Sequence, residues 1–263
     1  MSEVVCVRVE ELDTIFYLSP NDLSLIRGDL VIFEVDGTLL CGKVCKEKYS
    51  EKNNNLVLPL NKVLRIANKN DLKQIKKNND VAINALAEAK KISASLDLDM
   101  NFISSYYYFD QSQLLFFFLS ENRVDFRDLA KKLASKYKTR IELRQVGVRD
   151  KAKKVGGLGP CGLFLCCNSF LTDFNSVTIN MAKNQMLALN PSKINGICGR
   201  LLCCLGYEND TYSELKKDLP KIGMMADTPL GMGKVVSLDV FNQTYFVDMG
   251  DKGIIVVDKD KKK

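Results

Sequence analysis

The chain has 263 residues, enough for one large domain or two smaller ones, and its 46% hydrophobic and 27% charged content is that of an ordinary soluble globular protein. Its formal charge of +6 permits an RNA or acidic-protein partner without requiring one. Histidine is absent, which excludes His-based triads, His general bases and Cys/His zinc fingers, so any metal site must be built from thiolate, with at most some carboxylate or a partner's ligand.

No apolar run approaches the roughly 20 residues that a membrane span needs, so no membrane insertion is expected. The first residues, MSEVVCVRVEEL, carry acids where a signal peptide would be basic and then apolar. The expected compartment is the cytoplasm, where thiols stay reduced and the nine cysteines are poor candidates for a disulfide framework.

In chain order, residues 1–55 read as a small β module. Residues 4–9 and 14–18 are β-rich, and 28–44 form a hairpin turning at Asp36-Gly37. Cys41 and Cys45 fall on one strand face and read as small buried residues. Residues 46–55 (KEKYSEKNNN) read as a polar loop.

Residues 56–150 give a strand over 56–66, a long helix over 71–96, aromatic strands over 101–109 and 113–120, an amphipathic helix over 124–137 and a strand over 140–148. That order, β-α-β-β-α-β, predicts a ferredoxin-like unit. Its runs of Tyr and Phe can stack bases in such a sheet, but alternate rings packed under the helices are the better reading. The last segment, 210–263, gives a short polar helix over 210–218 and then strands, with turns at 231–233 and 250–251 and a basic tail. The two end modules are expected to be SH3-like and packed together. The predicted class is therefore α+β, with a metal-binding segment over 151–209 between the ferredoxin-like unit and the C-terminal module.

That segment carries GPCGLFLCC from Gly159 to Cys167 and, 37 residues later, GICGRLLCC from Gly196 to Cys204; six of nine positions are identical. Clustered thiolates select zinc, copper(I) or iron–sulfur clusters. The x4 spacing within Cys161/Cys166 and Cys198/Cys203 lies at the edge of the usual zinc-knuckle range. If a helix starts in each copy, the adjacent thiols of Cys166/Cys167 and Cys203/Cys204 point about 100° apart, so each copy sends two thiolates to one site and the third elsewhere. Two copies side by side then supply one four-thiolate site, and the two remaining thiolates suit a cluster shared at an interface. The repeat glycines let the backbone turn tightly. Six buried apolar cysteines in register would be unusual, and a redox enzyme would need C-x-x-C or a base beside a thiolate. Flanking the repeat are Arg144, Arg149, Lys151, Lys153 and Lys154, with Arg200 inside the second copy; these can offset thiolate charge, contact RNA phosphate or a partner, or form a solvated face.

The stretches RVDFRDLAKKLASKYKTRIELRQVGVRDKAKKVGGLGPCGLFLCC and MAKNQMLALNPSKINGICGRLLCCLGYEND closely resemble the bacterial YaaT/RicT family of stage 0 sporulation or cell-fate regulators, which carries a polymerase-suppressor C-terminal domain. The resemblance implies a non-catalytic scaffold that holds an iron–sulfur cluster, 4Fe-4S favoured over zinc, through Cys161, Cys166, Cys167, Cys198, Cys203 and Cys204. It also implies partners of YmcA and YlbF type, action on mRNA maturation through endoribonuclease Y, and roles in sporulation, competence and biofilm formation. The alternative is a structural zinc protein that binds nucleic acid directly.

Overall fold

Five strands open the chain because short β-branched runs are broken by turn-forming Asp, Asn and Gly. In the computed structural model, which describes residues 2–51 and 59–259, these are β1 (Ser2–Val9), β2 (Thr14–Leu18), β3 (Leu30–Val35), β4 (Thr38–Glu51) and β5 (Val63–Ile66), arranged β2-β1-β4-β3-β5 with antiparallel pairing. The β3–β4 hairpin turns at Asp36 and Gly37, with φ of 49° and 77°, the paired left-handed residues that a tight two-residue turn needs. Val5, Val7, Leu18, Val31, Phe33 and Val63 form its core.

The polar loop expected over 46–55 is strand as far as Glu51. Its polarity did not prevent pairing, since β1 offers partners from Ser2↔Glu51 to Arg8↔Lys43. Residues 52–58, which include the rest of that loop and the start of the expected 56–66 strand, lie outside the described residues.

Next come α1 (Lys69–Ser95), β6 (Asn101–Tyr107), β7 (Gln113–Leu119), α2 (Arg127–Tyr137) and β8 (Arg140–Gln145). Asn68 starts α1 with a reciprocal cap: its side chain accepts from the Asp71 amide at 3.0 Å while Asp71 accepts from the Asn68 amide at 2.8 Å. Arg65 also grips Asp71, with Nη2 at 2.9 Å from Oδ1, so the end of β5 is tied to the first turn of α1. Phe102, Phe116 and Phe118 pack beneath both helices with Ala85, Ala89, Leu129 and Leu133. Tyr106 joins the core of the first sheet instead. These rings serve the core, as the packing reading expects.

The ferredoxin-like expectation is corrected here. β6, β7 and β8 form a three-stranded sheet, with β6 antiparallel to β7 and β7 parallel to β8 across α2. The fourth strand, β5, pairs with β3, from Val31↔Ile66 to Phe33↔Val63. Val63 is fully buried in the first core, which fixes β5 there; element order alone carries no information on which sheet a short strand joins.

The chain divides into two compact units, Met1–Gly147 and Val148–Lys263. The second contains α3 (Val148–Val155), α4 (Cys166–Ser169), α5 (Ile179–Asn184), α6 (Pro191–Ile194) and α7 (Cys203–Leu215). It ends in the antiparallel meander β9 (Met225–Thr228), β10 (Gly231–Asp239), β11 (Thr244–Asp248) and β12 (Ile254–Asp258), in the order β12-β11-β10-β9. Val235, Tyr245 and Val247 pack there against Leu219, with Tyr212 and Leu215 of α7 alongside. The turn expected at 231–233 is instead the start of β10. Gly233 is needed for close approach, since a Cβ there would lie 2.4 Å from Val247 Cγ1 and 2.8 Å from the Asp248 carbonyl oxygen. The architecture is α+β, and no described helix is long and apolar enough to cross a membrane.

Candidate functional site

Glycine spacing sets the local backbone of the cysteine repeat. In the first copy the Gly162 amide donates to the Gly159 carbonyl at 3.0 Å and the Gly159 amide to the Leu163 carbonyl at 2.8 Å. In the second, Gly199 donates to Gly196 at 2.9 Å and Gly196 to Arg200 at 2.8 Å. Gly162 and Gly199 have φ of 79° and 77°, the left-handed residue that closes a three-residue loop. The bridge Leu158↔Phe164 repeats as Asn195↔Leu201. Leu165 donates to the Gly157 carbonyl at 3.1 Å, and Leu202 to that of Ile194 at 2.9 Å. A helix then begins at Cys166 and at Cys203, preceded by Leu165 and Leu202 with matching φ/ψ of −53°/128° and −56°/130°.

The 37-residue repeat in sequence is therefore a repeat in three dimensions. The first cysteine of each copy, Cys161 or Cys198, sits at the tip of the loop, and the other two occupy the first turn of a helix. Each tip thiol folds back over its own loop: Sγ lies 3.4 Å from where a Cβ on Gly159 would stand, and 3.8 Å in the case of Gly196.

The copies face one another through equivalent residues. Phe170 and Tyr207, also 37 apart, meet edge to face with ring centroids 5.1 Å apart. Cys166 and Cys203 are electrostatic neighbours as well. Contact between equivalent positions one helical turn apart is the pattern of a local twofold axis running between α4 and α7.

Electrostatic neighbours run across the two copies: Cys167 has Cys203 and Cys198, Cys203 has Cys166 as well as Cys198, and Cys204 has Cys166 and Cys161. Burial pushes up the thiols of Cys167, Cys203 and Cys204, with thiol neighbours adding to the effect. Arg149 opposes it at Cys203 and Lys153 at Cys167, whereas Glu208 reinforces it at Cys204.

All six expected cysteines thus lie in one region of the second unit. Cys167 is buried, Cys161 exposed and the other four partly buried. As placed, no three thiol or carboxylate groups among the described residues converge tightly enough to hold an ion. In donor chemistry six soft sulfurs suit zinc or an iron–sulfur cluster.

The basic residues divide between the two units. Arg144 belongs to the first unit, where it pairs with Glu142 at 2.8 Å and lies over the Phe117 ring. Arg149, Lys151, Lys153 and Lys154 ride on α3, which joins the thiol region through Asn168 Nδ2 donating to the Lys153 carbonyl at 2.8 Å. Arg200 is exposed beside the second loop tip.

Sequence reasoning missed Phe170, Phe174, Tyr207 and Glu208. Extending the 37-residue offset three positions past Cys167 and Cys204 would have exposed the Phe170/Tyr207 pair; no local pattern marks Phe174. It also missed a cavity of about 270 Å³ in the first unit, bordered by Arg8, Glu11, Cys41, Asn78 and Tyr106. There burial, with Glu11 and Asp71 nearby, pushes the Cys41 thiol up to about 12, as fits an inert structural cysteine. Cys45 is likewise held in the strand, its thiol donating to the Cys6 carbonyl at 3.5 Å.

Residues 61–146 match the family described as PSP1 C-terminal conserved region, and residues 176–219 that described as PSP1-like protein, third domain. Over 249 residues the chain is 44% identical to the stage 0 sporulation protein YaaT of Bacillus subtilis (strain 168), a match that spans 95% of this chain and 90% of that protein. No solved structure matches it.

Proposed function

The chain belongs to the family of the stage 0 sporulation protein YaaT, and we propose that it is a cytoplasmic, non-catalytic regulatory scaffold whose twofold-related thiols hold an iron–sulfur cluster. The observation that supports this most is the duplicated backbone, which places Cys161, Cys166 and Cys167 in one frame and Cys198, Cys203 and Cys204 in its equivalent, face to face. A catalytic thiol needs no second copy, whereas a site of several thiolates can draw its ligands from two such loops.

In this reading the loops supply the tip thiols, the first turns of α4 and α7 supply the rest, and α3 supplies balancing cations. A cluster held by these thiols, 4Fe-4S favoured, would supply redox-sensitive chemistry at the repeat, and ligation would require the thiols that burial keeps protonated to give up their protons. Regulation then proceeds by protein contacts with YmcA- and YlbF-type partners and, through endoribonuclease Y, on mRNA processing in sporulation, competence and biofilm formation. These partners come from the family resemblance.

Direct RNA binding through the basic run is the weaker alternative. Arg144 pairs with Glu142 and lies over Phe117, and Arg149 lies over Phe174, so both arginines already have partners of their own. Structural zinc in the same thiols is the competing occupant.

Anaerobic purification followed by a visible spectrum and iron, sulfide and zinc analysis tests the reading. Iron and sulfide in near-equal amounts, lost together in Cys203→Ser along with partner binding, is the expected result. A colourless chain with zinc would replace the cluster by a structural metal, and partner binding that survives metal loss would remove its role in assembly.

A further inference from the structure

The cavity of about 270 Å³ in the first unit is far larger than a single water needs, and protein interiors hold few voids of that size. It falls just under the range of drug-sized ligand pockets, which sets its occupant at the size of a small metabolite.

One wall is a face of the first sheet. Cys41 and Lys43 stand two apart on β4, and Arg8 of β1 is the cross-strand partner of Lys43, so the three side chains share that face. Like charges directly opposite one another destabilise a strand pair. Asp13 accepts from Arg8 at 3.2 Å, but no carboxylate pairs with Lys43 among the described residues.

The other wall comes from α1 and β6, through Ile75, Asn78 and Tyr106. Asn78 is fully committed: its amide donates to the Tyr108 and Phe109 carbonyls at 2.9 and 3.2 Å and accepts from the Gln74 and Gln111 amides at 2.7 and 2.8 Å. It fixes the wall and leaves recognition to its neighbours. Tyr106 is 7% exposed, and its hydroxyl has no hydrogen-bond partner among the described residues. A buried hydroxyl left in that state costs free energy that an arriving ligand can relieve. Glu11 borders the cavity as well, and its charge is felt at both the Tyr106 hydroxyl and the Cys41 thiol.

The lining therefore carries both signs of charge. A simple anion would leave Glu11 opposed, and a simple amine would leave Arg8 and Lys43 opposed. We propose that this cavity binds a free α-amino acid, with its carboxylate against Arg8 and Lys43, its ammonium toward Glu11, its side chain toward Ile75 and the Tyr106 hydroxyl as a further polar contact. The site lies wholly within the first unit and stands independently of metal binding by the cysteine repeat.

Isothermal titration of the reduced full-length chain with the common L-amino acids, one at a time, tests this. At least one is expected to bind, and its amine-free acid and carboxylate-free amine should each bind about 10- to 100-fold more weakly, the cost of losing hydrogen bonds to a charged group. Lys43 is exposed, so Lys43→Gln should weaken binding of that amino acid by a similar factor and leave the melting temperature of the ligand-free chain unchanged. Glu11→Gln should match it, and Tyr106→Phe should cost about 2- to 10-fold.

A chain that binds no amino acid overturns the proposal, and so does binding that is unchanged in folded Lys43→Gln and Glu11→Gln chains. An amine-free acid that binds as tightly as its parent overturns the assignment to a zwitterion. The analogue series uses the wild-type chain alone, so it decides even where a variant melts low.

Discussion

Loop for loop, the segments around Cys161 and Cys198 make the same hydrogen bonds, yet the helix that follows runs 4 residues in the first and 13 in the second. The second copy is seated in a core: Leu205 is 1% exposed and packs with Ala182 and Ile194, with Leu201 and Leu202 at its margin. Gln185 adds a buried bond, its Nε2 donating to the Leu205 carbonyl at 2.7 Å. In the first copy the corresponding loop carries Leu163 and Phe164 at 71% and 70% exposure. The approaches differ as well. The second copy is reached through α6, capped by Asn190, and the first through Gly156 and Gly157, both left-handed. The same nine-residue pattern thus dictates a backbone without dictating its support, and rigidity is supplied from outside the motif.

The largest expected contrast comes from cutting that support. Leu205→Ala should lower the local stability of α5 and α7 by about 2–5 kcal/mol, as deletion of a fully buried leucine does, whereas Phe164→Ala should stay within roughly 0.5 kcal/mol. Hydrogen exchange through these helices measures both, and equal effects would end the distinction between a seated and an unseated copy.

A smaller test bears on what the copies share. Gly162→Ala and Gly199→Ala meet no atom within 4 Å, so only left-handed strain is added, about 1–2 kcal/mol at each position. Similar costs in both loops would sharpen the equivalence; a much smaller cost at Gly162 would show that the first loop relaxes because nothing holds it. Least of all, Asn190→Ala should remove about 1 kcal/mol from the approach to the second copy, through its acceptor to the Ser192 amide at 3.1 Å, and should leave exchange in the first loop unchanged.

Much of this was legible beforehand, and the reasons are local. Glycines at fixed offsets from cysteines imply a tight loop wherever they occur, so the repeat and its six thiols could be read directly. The 27-residue helix α1 was plain from periodicity, as was the β3–β4 turn from Asp36-Gly37. What failed depended on partners distant in sequence. The destination of β5 is set by Val63 entering a core built from β1 to β4. The start of α7 at Cys203, seven residues before the expected position, is set by Leu205 packing under α5 rather than by any capping side chain at Leu202. Helix α3 was hidden because its apolar stripe, Val148, Ala152 and Val155, is only two turns long and lies among four cations.

The pairing of β5 with β3 has a practical consequence for dissecting the protein. The conserved region that begins at residue 61 takes β5 with it and leaves β3 behind. A fragment cut at that point would detach the last strand of a five-stranded sheet from one piece and strand it, with Val63 exposed, on the other. Both pieces would then carry raw β edges of the kind that pair with whatever strand is nearest. The inherited unit and the folding unit do not share a border here, and a soluble fragment should be cut after residue 147, where the chain itself divides.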